Sequence, residues 1–185
     1  ALRLGYRVNR LAQGLRSRAI RSLGVVIADL ANPFFMEVAR GIEAEAYRRG
    51  YTMILANSNE DPDKELDVVQ TLVAHRVAGV LITPCQKSDA AIRYLMAERV
   101  PFVLVARRFD RSLSHAVLND DFTGAYEAVC YLIEQGHRRI LFVNGPPSNW
   151  SAVQRLNGYR QALEVNGIPF DPALVRAVEV TAPAA

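Results

Sequence analysis

Several features that define whole classes of proteins are scarce or missing in this sequence. It has only two cysteines, Cys85 and Cys130, and their wide separation excludes a disulfide scaffold and a CxxC redox or zinc site. The longest apolar runs have five or six residues, well short of the ~20 that span a bilayer. No basic and then apolar leader begins the chain, so we expect a cytoplasmic protein that does not associate with membranes.

Sequence motifs of common catalytic sites are missing as well. The turn after the first apolar run, residues 28–34, contains no glycine, which excludes the GxGxxG and P-loop phosphate cradles there. There is no GxSxG or HExxH motif, and the three histidines are scattered among different predicted elements. Asp120 and Asp121 are adjacent carboxylates, but before a predicted helix they fit an N-cap better than an acid–base pair. We therefore predict no enzyme activity, no metal and no cofactor.

Charge is distributed unevenly along the 185 residues, whose formal net charge is +3. Residues 1–21 contain six arginines and no acidic residue, whereas the rest contains 16 basic and 19 acidic residues. A basic arm joined to a mildly acidic globule is typical of an element that binds nucleic acid or an anionic surface. A solvated tail explains the charge alone equally well.

Short apolar runs alternate with helical patterns from residue 23 onward. The runs are rich in Val, Ile and Leu and hardly alternate with polar residues, as in parallel strands that are buried on both faces. They cover residues 23–28, 51–56, 78–82, 101–105, 115–118 and 139–143. Asn32-Pro33 and Asp61-Pro62 are helix-start signals. The pattern predicts an α/β fold with a doubly wound parallel sheet over residues 22–147, followed by a helix (150–166) and a strand (174–180).

Polar and aromatic side chains follow the predicted strands at their carboxyl ends, where open α/β sheets bind ligands. The segments are 29–35, 57–59, 83–85, 106–107 and 144–151, with Arg155 one helical turn further on. Flat aromatic rings beside amide and hydroxyl groups suit a small polyhydroxylated or heterocyclic ligand. Phe35 fits the apolar stripe of its helix and is expected to be at least partly core. Phe34 lies outside that stripe, which favours a position in the ligand crevice for its side chain.

The basic arm contains a short helical pattern at residues 9–16. Asn9 can cap it, and Leu11 and Leu15 fall on one face between arginines. So short a helix is marginal alone, and Gly14 weakens it further. A basic segment with an apolar wedge that folds on contact is similar to minor-groove binders, although a plain linker is also possible.

Five segments together resemble the LacI/GalR family of bacterial transcription regulators. They correspond to the family patterns LGYxPNxxA, IGVxxxxxxNPFF, VxxDNxxG, GHRRI and RxxGF. In this sequence they are residues 4–12, 24–35, 118–124, 135–140 and 155–159. Each match is weak, but five in the family's order and spacing are a specific signal.

The resemblance implies a periplasmic-binding-protein-like core of two lobes with an effector in the cleft between them, a homodimer, and operator DNA as partner. It divides the chain into the end of the headpiece and the hinge helix (1–21), the first lobe (22–147) and the start of a truncated second lobe (148–185). It also implies which residues line the effector cleft: Asn32, Phe34, Phe35, Asn149, Ser151 and Arg155. It implies that the hinge residues at the DNA are Tyr6, Asn9, Arg10, Ala12, Leu15 and Arg16.

Three positions depart from the family pattern. Val8 stands where a proline is usual, Asp121 replaces the usual Asn, and Ala106 stands where many members carry Asp before Arg107. The last change removes a carboxylate that reads hydroxyl groups. From the resemblance we expect a transcription regulator that acts as a repressor and is controlled by a sugar, a sugar derivative or a nucleoside. A solute-binding protein that captures sugar for a transporter is the alternative, and a nucleotide enzyme ranks third.

Overall fold

A computed structural model describes residues 21–109 and 115–178. The predicted hinge residues at positions 6–16 lie outside these ranges. The elements, in chain order, are β1 (Ser22–Ile27), α1 (Pro33–Arg48), β2 (Thr52–Asn57), α2 (Pro62–Ala74), β3 (Val80–Ile82), α3 (Ala90–Ala97), β4 (Phe102–Val105), β5 (Ala116–Val117), α4 (Asp121–Glu134), β6 (Phe142–Asn144), α5 (Trp150–Val165), a 3-10 turn (Pro172–Leu174) and β7 (Val175–Ala177).

The first five strands form one parallel sheet in the order β2-β1-β3-β4-β5. Alternate residues of β1 enter two different hydrophobic clusters. Val25 and Ile27 pack with Phe35 of α1, whereas Val26 packs with the apolar side chains of α2 and α3. Helices therefore cover both faces of the sheet, which explains why its strands read as unbroken apolar runs.

Local signals in the sequence account for the helix starts. The Asn32 side chain accepts the Phe34 backbone N–H, and Asp61 accepts those of Asp63 and Lys64. A proline follows each cap in the first turn, where its missing N–H costs nothing. Both helices begin at the positions that the Asn-Pro and Asp-Pro pairs predicted.

The last part of the described chain forms a second packing unit. Strands β6 and β7 pair in parallel with each other and not with the first sheet. Helix α4 packs along α5, and Val129 and Ile133 of α4 share a buried cluster with Tyr159 of α5. The Tyr159 hydroxyl donates to the Ile140 carbonyl at 3.0 Å.

The predicted boundary between the lobes at residue 147 falls inside this second packing unit. The sequence suggested that α4 continues the strand–helix repeat of the first sheet. Its apolar side chains instead lie against α5, so residues 121–147 group with the second unit. We propose that the lobes separate between β5 and α4. None of the helices in the part of the chain that the structure describes is long and apolar enough for a membrane span.

Candidate functional site

The loops after β1, β2, β3 and β4 are hydrogen-bonded to one another at the carboxyl edge of the first sheet. The backbone N–H of Glu60 donates to the Ala28 carbonyl at 3.0 Å. The Cys85 thiol donates to the Glu60 carbonyl at 3.2 Å. We call these loops and the first turns of α5 the strand-end site. Neighbouring parallel strands bring their loops together here, although the loops are far apart in sequence.

The two adjacent phenylalanines have different environments, as the helical pattern predicted. Phe35 is 4 % exposed and packs on β1, whereas Phe34 is 40 % exposed. Their rings meet edge to face with centroids 5.2 Å apart. Asn32 uses its side-chain oxygen for the helix cap, so its first role is to position this aromatic pair.

Arg107 follows β4 in the predicted ligand crevice, although it is not among the residues predicted to contact the effector. Its Nη1 and Nη2 atoms donate to the two carboxylate oxygens of Glu60 at 2.9 and 2.7 Å. Its guanidinium carbon lies 5.5 Å from the centroid of the Phe35 ring. The Arg107 side chain is only 10 % exposed. A planar fork fixed by a bidentate pair and an aromatic ring is well ordered for recognition.

A buried carboxyl group lies beside this pair. Glu65 is 1 % exposed, and its Oε2 accepts the Cys85 backbone N–H at 2.7 Å. Burial is the largest of the effects on its pKa, which is raised to about 7. Burial likewise raises the pKa of the Cys85 thiol. The Glu65 carboxyl is thus close to its protonation midpoint at neutral pH.

Arg155 lies on α5 and is held by two polar side chains. Its Nη1 donates to Asp121 Oδ1 at 2.7 Å, and its Nε donates to Asn144 Oδ1 at 3.3 Å. The two adjacent aspartates therefore differ in role. Asp120 is the N-cap of α4, where the backbone N–H of Thr123 lowers the pKa of its carboxyl. Asp121 was also predicted to act as a cap, but it forms the ion pair with Arg155 instead.

The start of α5 contacts the loops of the first sheet. The Ser151 hydroxyl donates to the Ala106 carbonyl at 3.3 Å, and the Trp150 backbone N–H donates to Gln86 Oε1 at 3.2 Å. The Arg108 guanidinium lies 5.4 Å from the centroid of the Trp150 ring. Asn149 is the N-cap residue of α5 but makes no side-chain capping bond. These contacts bring Ser151 next to the residue that precedes Arg107.

Two buried polar atoms at this edge have no hydrogen-bond partner among the described residues. They are Thr83 Oγ1 and Gln86 Nε2, both in the segment that follows β3. Buried polar groups are usually satisfied, so these atoms mark a place where a ligand or water would be bound. The described residues contain no cluster of His, Cys, Asp and Glu suited to a metal ion.

The predicted site residues fall into two groups, which the contacts join only through Phe35, Arg107 and the Ser151–Ala106 hydrogen bond. Asn32, Phe34 and Phe35 lie on the first sheet's side, and Asn149, Ser151 and Arg155 lie on α5 or at its start. Open cavities of about 620 and 590 Å³ lie elsewhere, along the segment that follows α5. These cavities contain none of the predicted site residues.

Comparison with known proteins adds to this geometry. The family described as periplasmic binding proteins and sugar binding domain of LacI family matches residues 21–185. Catabolite control protein A of Priestia megaterium is 36 % identical over 170 residues, which are 90 % of this chain and 51 % of that protein. The PurR transcriptional repressor of Vibrio atlanticus is 30 % identical over 174 residues, 93 % of this chain and 52 % of that protein. The chain spans about half the length of these curated relatives.

Solved structures resemble the fold closely. A protein from Burkholderia thailandensis that is described as a ribose operon repressor superposes with a TM-score of 0.82 at 33 % identity. The match covers 86 % of this chain and 61 % of that one. The Cra regulator from Pseudomonas putida, in complex with fructose 1-phosphate, has a TM-score of 0.76 at 26 % identity and 87 % and 58 % coverage. A regulator from Enterococcus faecium with bound ribose has a TM-score of 0.72 at 29 % identity and 86 % and 58 % coverage. The predicted α/β fold is confirmed.

Proposed function

Because this chain belongs to the family of periplasmic binding proteins and LacI-family sugar-binding domains, we propose that it is the effector-binding part of a DNA-binding transcription regulator. The family resemblance predicted from the five sequence segments is confirmed. The matched relatives include transcription regulators, and the prediction of no enzyme activity agrees with that family.

The strand-end site supports a small polyhydroxylated effector. The observation that carries the proposal is the hydrogen bond from Ser151 to the Ala106 carbonyl, which brings the start of α5 to the residue before Arg107. The Arg107 guanidinium lies near the buried Phe35 ring, and the neighbouring Phe34 ring stays exposed. Aromatic faces stack on the apolar face of a ring, and guanidinium and hydroxyl groups bond its edge. We propose a sugar or sugar derivative as the effector, with a nucleoside as the second candidate.

The DNA-binding side of the proposal rests on the basic arm and the relatives. Tyr6, Asn9, Arg10, Ala12, Leu15 and Arg16 are proposed to contact operator DNA as a hinge helix, although they lie outside the described residues. Paired hinge helices require a homodimer, and a regulator of operators acts in the cytoplasm. Repression is the proposed outcome of DNA binding, since one of the relatives is a repressor.

The alternative is a solute-binding protein for a transporter, which shares this core. Six arginines in residues 1–21 favour the regulator, because a solute-binding protein has no use for a DNA-binding arm. A gel shift with the full-length protein and its own promoter region distinguishes the two. If the protein shifts the promoter DNA specifically, and the shift changes when the effector is added, the protein is a regulator. If it binds the promoter DNA no better than competitor DNA, the regulator is contradicted.

The effector itself can be found by a thermal-shift screen of the full-length protein. A ligand that binds only the folded state raises the melting temperature by mass action. The screen should cover neutral sugars, sugar phosphates, sugar acids, nucleosides and purines. A higher melting temperature with a sugar supports a sugar effector. An increase confined to purines or nucleosides would favour the second candidate, a nucleoside, instead.

A further inference from the structure

Both arginines that were placed at the strand-end site are ion-paired to carboxylates of the chain itself. Arg107 makes the two-pronged contact with Glu60, at 2.7 Å for its shortest N–O distance. Arg155 contacts Asp121, also at 2.7 Å. Each guanidinium charge is therefore neutralised at short range before any ligand arrives.

These two pairs differ from the other ion pairs of the described residues in their burial. Side chains of the other pairs are 39–77 % exposed on both members. Arg107 and Glu60 are 10 and 26 % exposed, and in the second pair Asp121 is 10 % exposed while Arg155 is 38 % exposed. Water screens the exposed pairs strongly. Separating a partly buried pair would leave an uncompensated charge in a poorly hydrated place, so these two pairs are expected to persist when a ligand binds.

One of these carboxylates occupies a position where the family pattern has a neutral residue. Asp121 stands where the VxxDNxxG pattern has Asn, and an Asn side chain does not neutralise a guanidinium. The neighbouring Asp120 already provides the helix cap. Capping therefore does not explain the charge of Asp121, whereas its contact with Arg155 does.

The paired arginines still have N–H groups to offer. A guanidinium carries five N–H donors, and the contacts to Glu60 occupy one on each of two nitrogen atoms of Arg107. The remaining N–H donors can bond hydroxyl oxygens, because such a hydrogen bond requires a well-directed donor but no net charge on the guanidinium. A phosphate dianion bonds most strongly to charged donors. At these two arginines it would lie near the carboxylates of Glu60 and Asp121, whose like charge repels it.

From this arrangement we infer that the strand-end site selects uncharged polyhydroxylated ligands and rejects phosphorylated ones, with Glu60 and Asp121 as the residues that set this specificity. The inference rests on the proposed function, because it refines which effectors the site accepts. It distinguishes this chain from the Cra regulator, whose structure holds fructose 1-phosphate.

The first test uses inorganic phosphate as the probe and needs no knowledge of the effector. Phosphate is titrated into the full-length wild type and into the Asp121→Asn and Glu60→Gln variants, with calorimetry and the fluorescence of the single tryptophan, Trp150, as readouts. Removing one carboxylate leaves one arginine unpaired, so each variant should bind phosphate on the order of tenfold more tightly than the wild type.

Glu45→Gln is the matched control, because it makes the same charge change in an exposed pair at the far end of α1. This variant should bind phosphate no better than the wild type. Should Glu60→Gln fail to fold, Asp121→Asn decides alone, since it introduces the residue of the family pattern. Equal phosphate affinity in the wild type and Asp121→Asn would overturn the inference.

The second test compares neutral sugars with their phosphates, using ribose with ribose 5-phosphate and fructose with fructose 1-phosphate. For any pair that binds, the wild type should prefer the neutral sugar at least tenfold, and Asp121→Asn should reduce this preference by about tenfold. Tighter binding of the phosphate by the wild type would overturn the inference and leave the proposed function intact. Failure of every sugar in a full screen would count against the proposed function, and the phosphate titration would still decide the inference.

Discussion

At the scale of single residues, partners from distant parts of the chain determine what each functional group can do. Arg155 would be an ordinary exposed helix arginine by sequence alone, but Asp121 and Asn144 hold its guanidinium in one orientation. Glu65 would be an ordinary helix carboxylate, but burial against the β3 loop raises its pKa to about 7. Both effects lead to measurable consequences.

We predict that Arg155→Ala weakens effector binding by about tenfold to a hundredfold, since hydrogen bonds to a charged group contribute about 1.5–3 kcal/mol. Calorimetry on the full-length protein with the effector from the screen measures the change. Arg160→Ala is the control, because Arg160 lies on the same helix but stacks on Phe170. Unchanged affinity in Arg155→Ala would remove this residue from the site.

Glu65 is predicted to make stability fall as the pH rises from about 4.5 to about 7. In this window the unfolded chain has released the proton of this carboxyl while the folded chain still holds it, because the folded-state pKa is raised. Unfolding is therefore favoured by rising pH, and the loss is complete above the folded-state pKa. Glu65→Gln, which keeps an oxygen for the Cys85 N–H, should remove this dependence.

Urea unfolding at pH 5 and at pH 8 measures the effect. Glu65→Gln should be about as stable as the wild type at pH 5 and more stable by about 1–3 kcal/mol at pH 8, on the basis of about 1.4 kcal/mol per pKa unit. Glu43→Gln, on the exposed surface of α1, should change neither value. An equal effect of Glu65→Gln at both pH values would show that the carboxyl is ionised throughout.

At the scale of elements, the close approach of α4 and α5 builds the second packing unit. Gly158 makes this approach possible, because a Cβ at this position would lie 2.2 Å from the Phe122 carbonyl oxygen and 3.0 Å from the Tyr126 backbone nitrogen. Both atoms belong to the backbone of α4 and cannot move aside separately. The absence of a side chain therefore fixes the distance between the helices and, with it, the position of Arg155 relative to Asp121.

We predict that Gly158→Ala destabilises the protein by several kcal/mol, although alanine favours a helix by about 1 kcal/mol over glycine. The clash with the α4 backbone requires the helices to separate, which disrupts the packing around Tyr159. Gly124→Ala is the control, since nothing lies within 4 Å of its Cβ position in α4. Chemical denaturation should show Gly124→Ala as stable as or more stable than the wild type. Equal stability of both variants would contradict the close-packing argument.

At the scale of the whole molecule, the switch is proposed to connect the effector site with the basic arm. A helix as short as the one that the sequence predicts at residues 9–16 cannot repay the cost of helix nucleation in isolation, and Gly14 would oppose it further. Two such segments that a dimer brings together on DNA can fold against each other. A ligand that shifts the first lobes of the dimer would change the distance between the segments and so the affinity for the operator.

Leu15→Ala is accordingly predicted to weaken operator binding sharply in the full-length protein and to leave effector affinity nearly unchanged. Insertion of an apolar side chain between base steps costs a few kcal/mol of unstacking, which the contacts on bent DNA offset. Gel shifts at matched salt measure the operator affinity, and calorimetry measures the effector affinity. Gln13→Ala, which keeps both leucines, is the control. If Leu15→Ala and the wild type bind the operator with the same affinity, the Leu15 side chain does not insert between base steps.

The sequence by itself determined the α/β class, the parallel sheet, the helix starts at Asn32 and Asp61 and the different environments of Phe34 and Phe35. These features depend on hydrophobic period and capping, which act over a few residues. Only the tertiary structure decided that α4 packs on α5, and that Arg107 pairs with Glu60 and Arg155 with Asp121, partners that are 47 and 34 residues apart. Such contacts depend on how strands and helices are placed in three dimensions, and the charge and burial of the site follow from that placement.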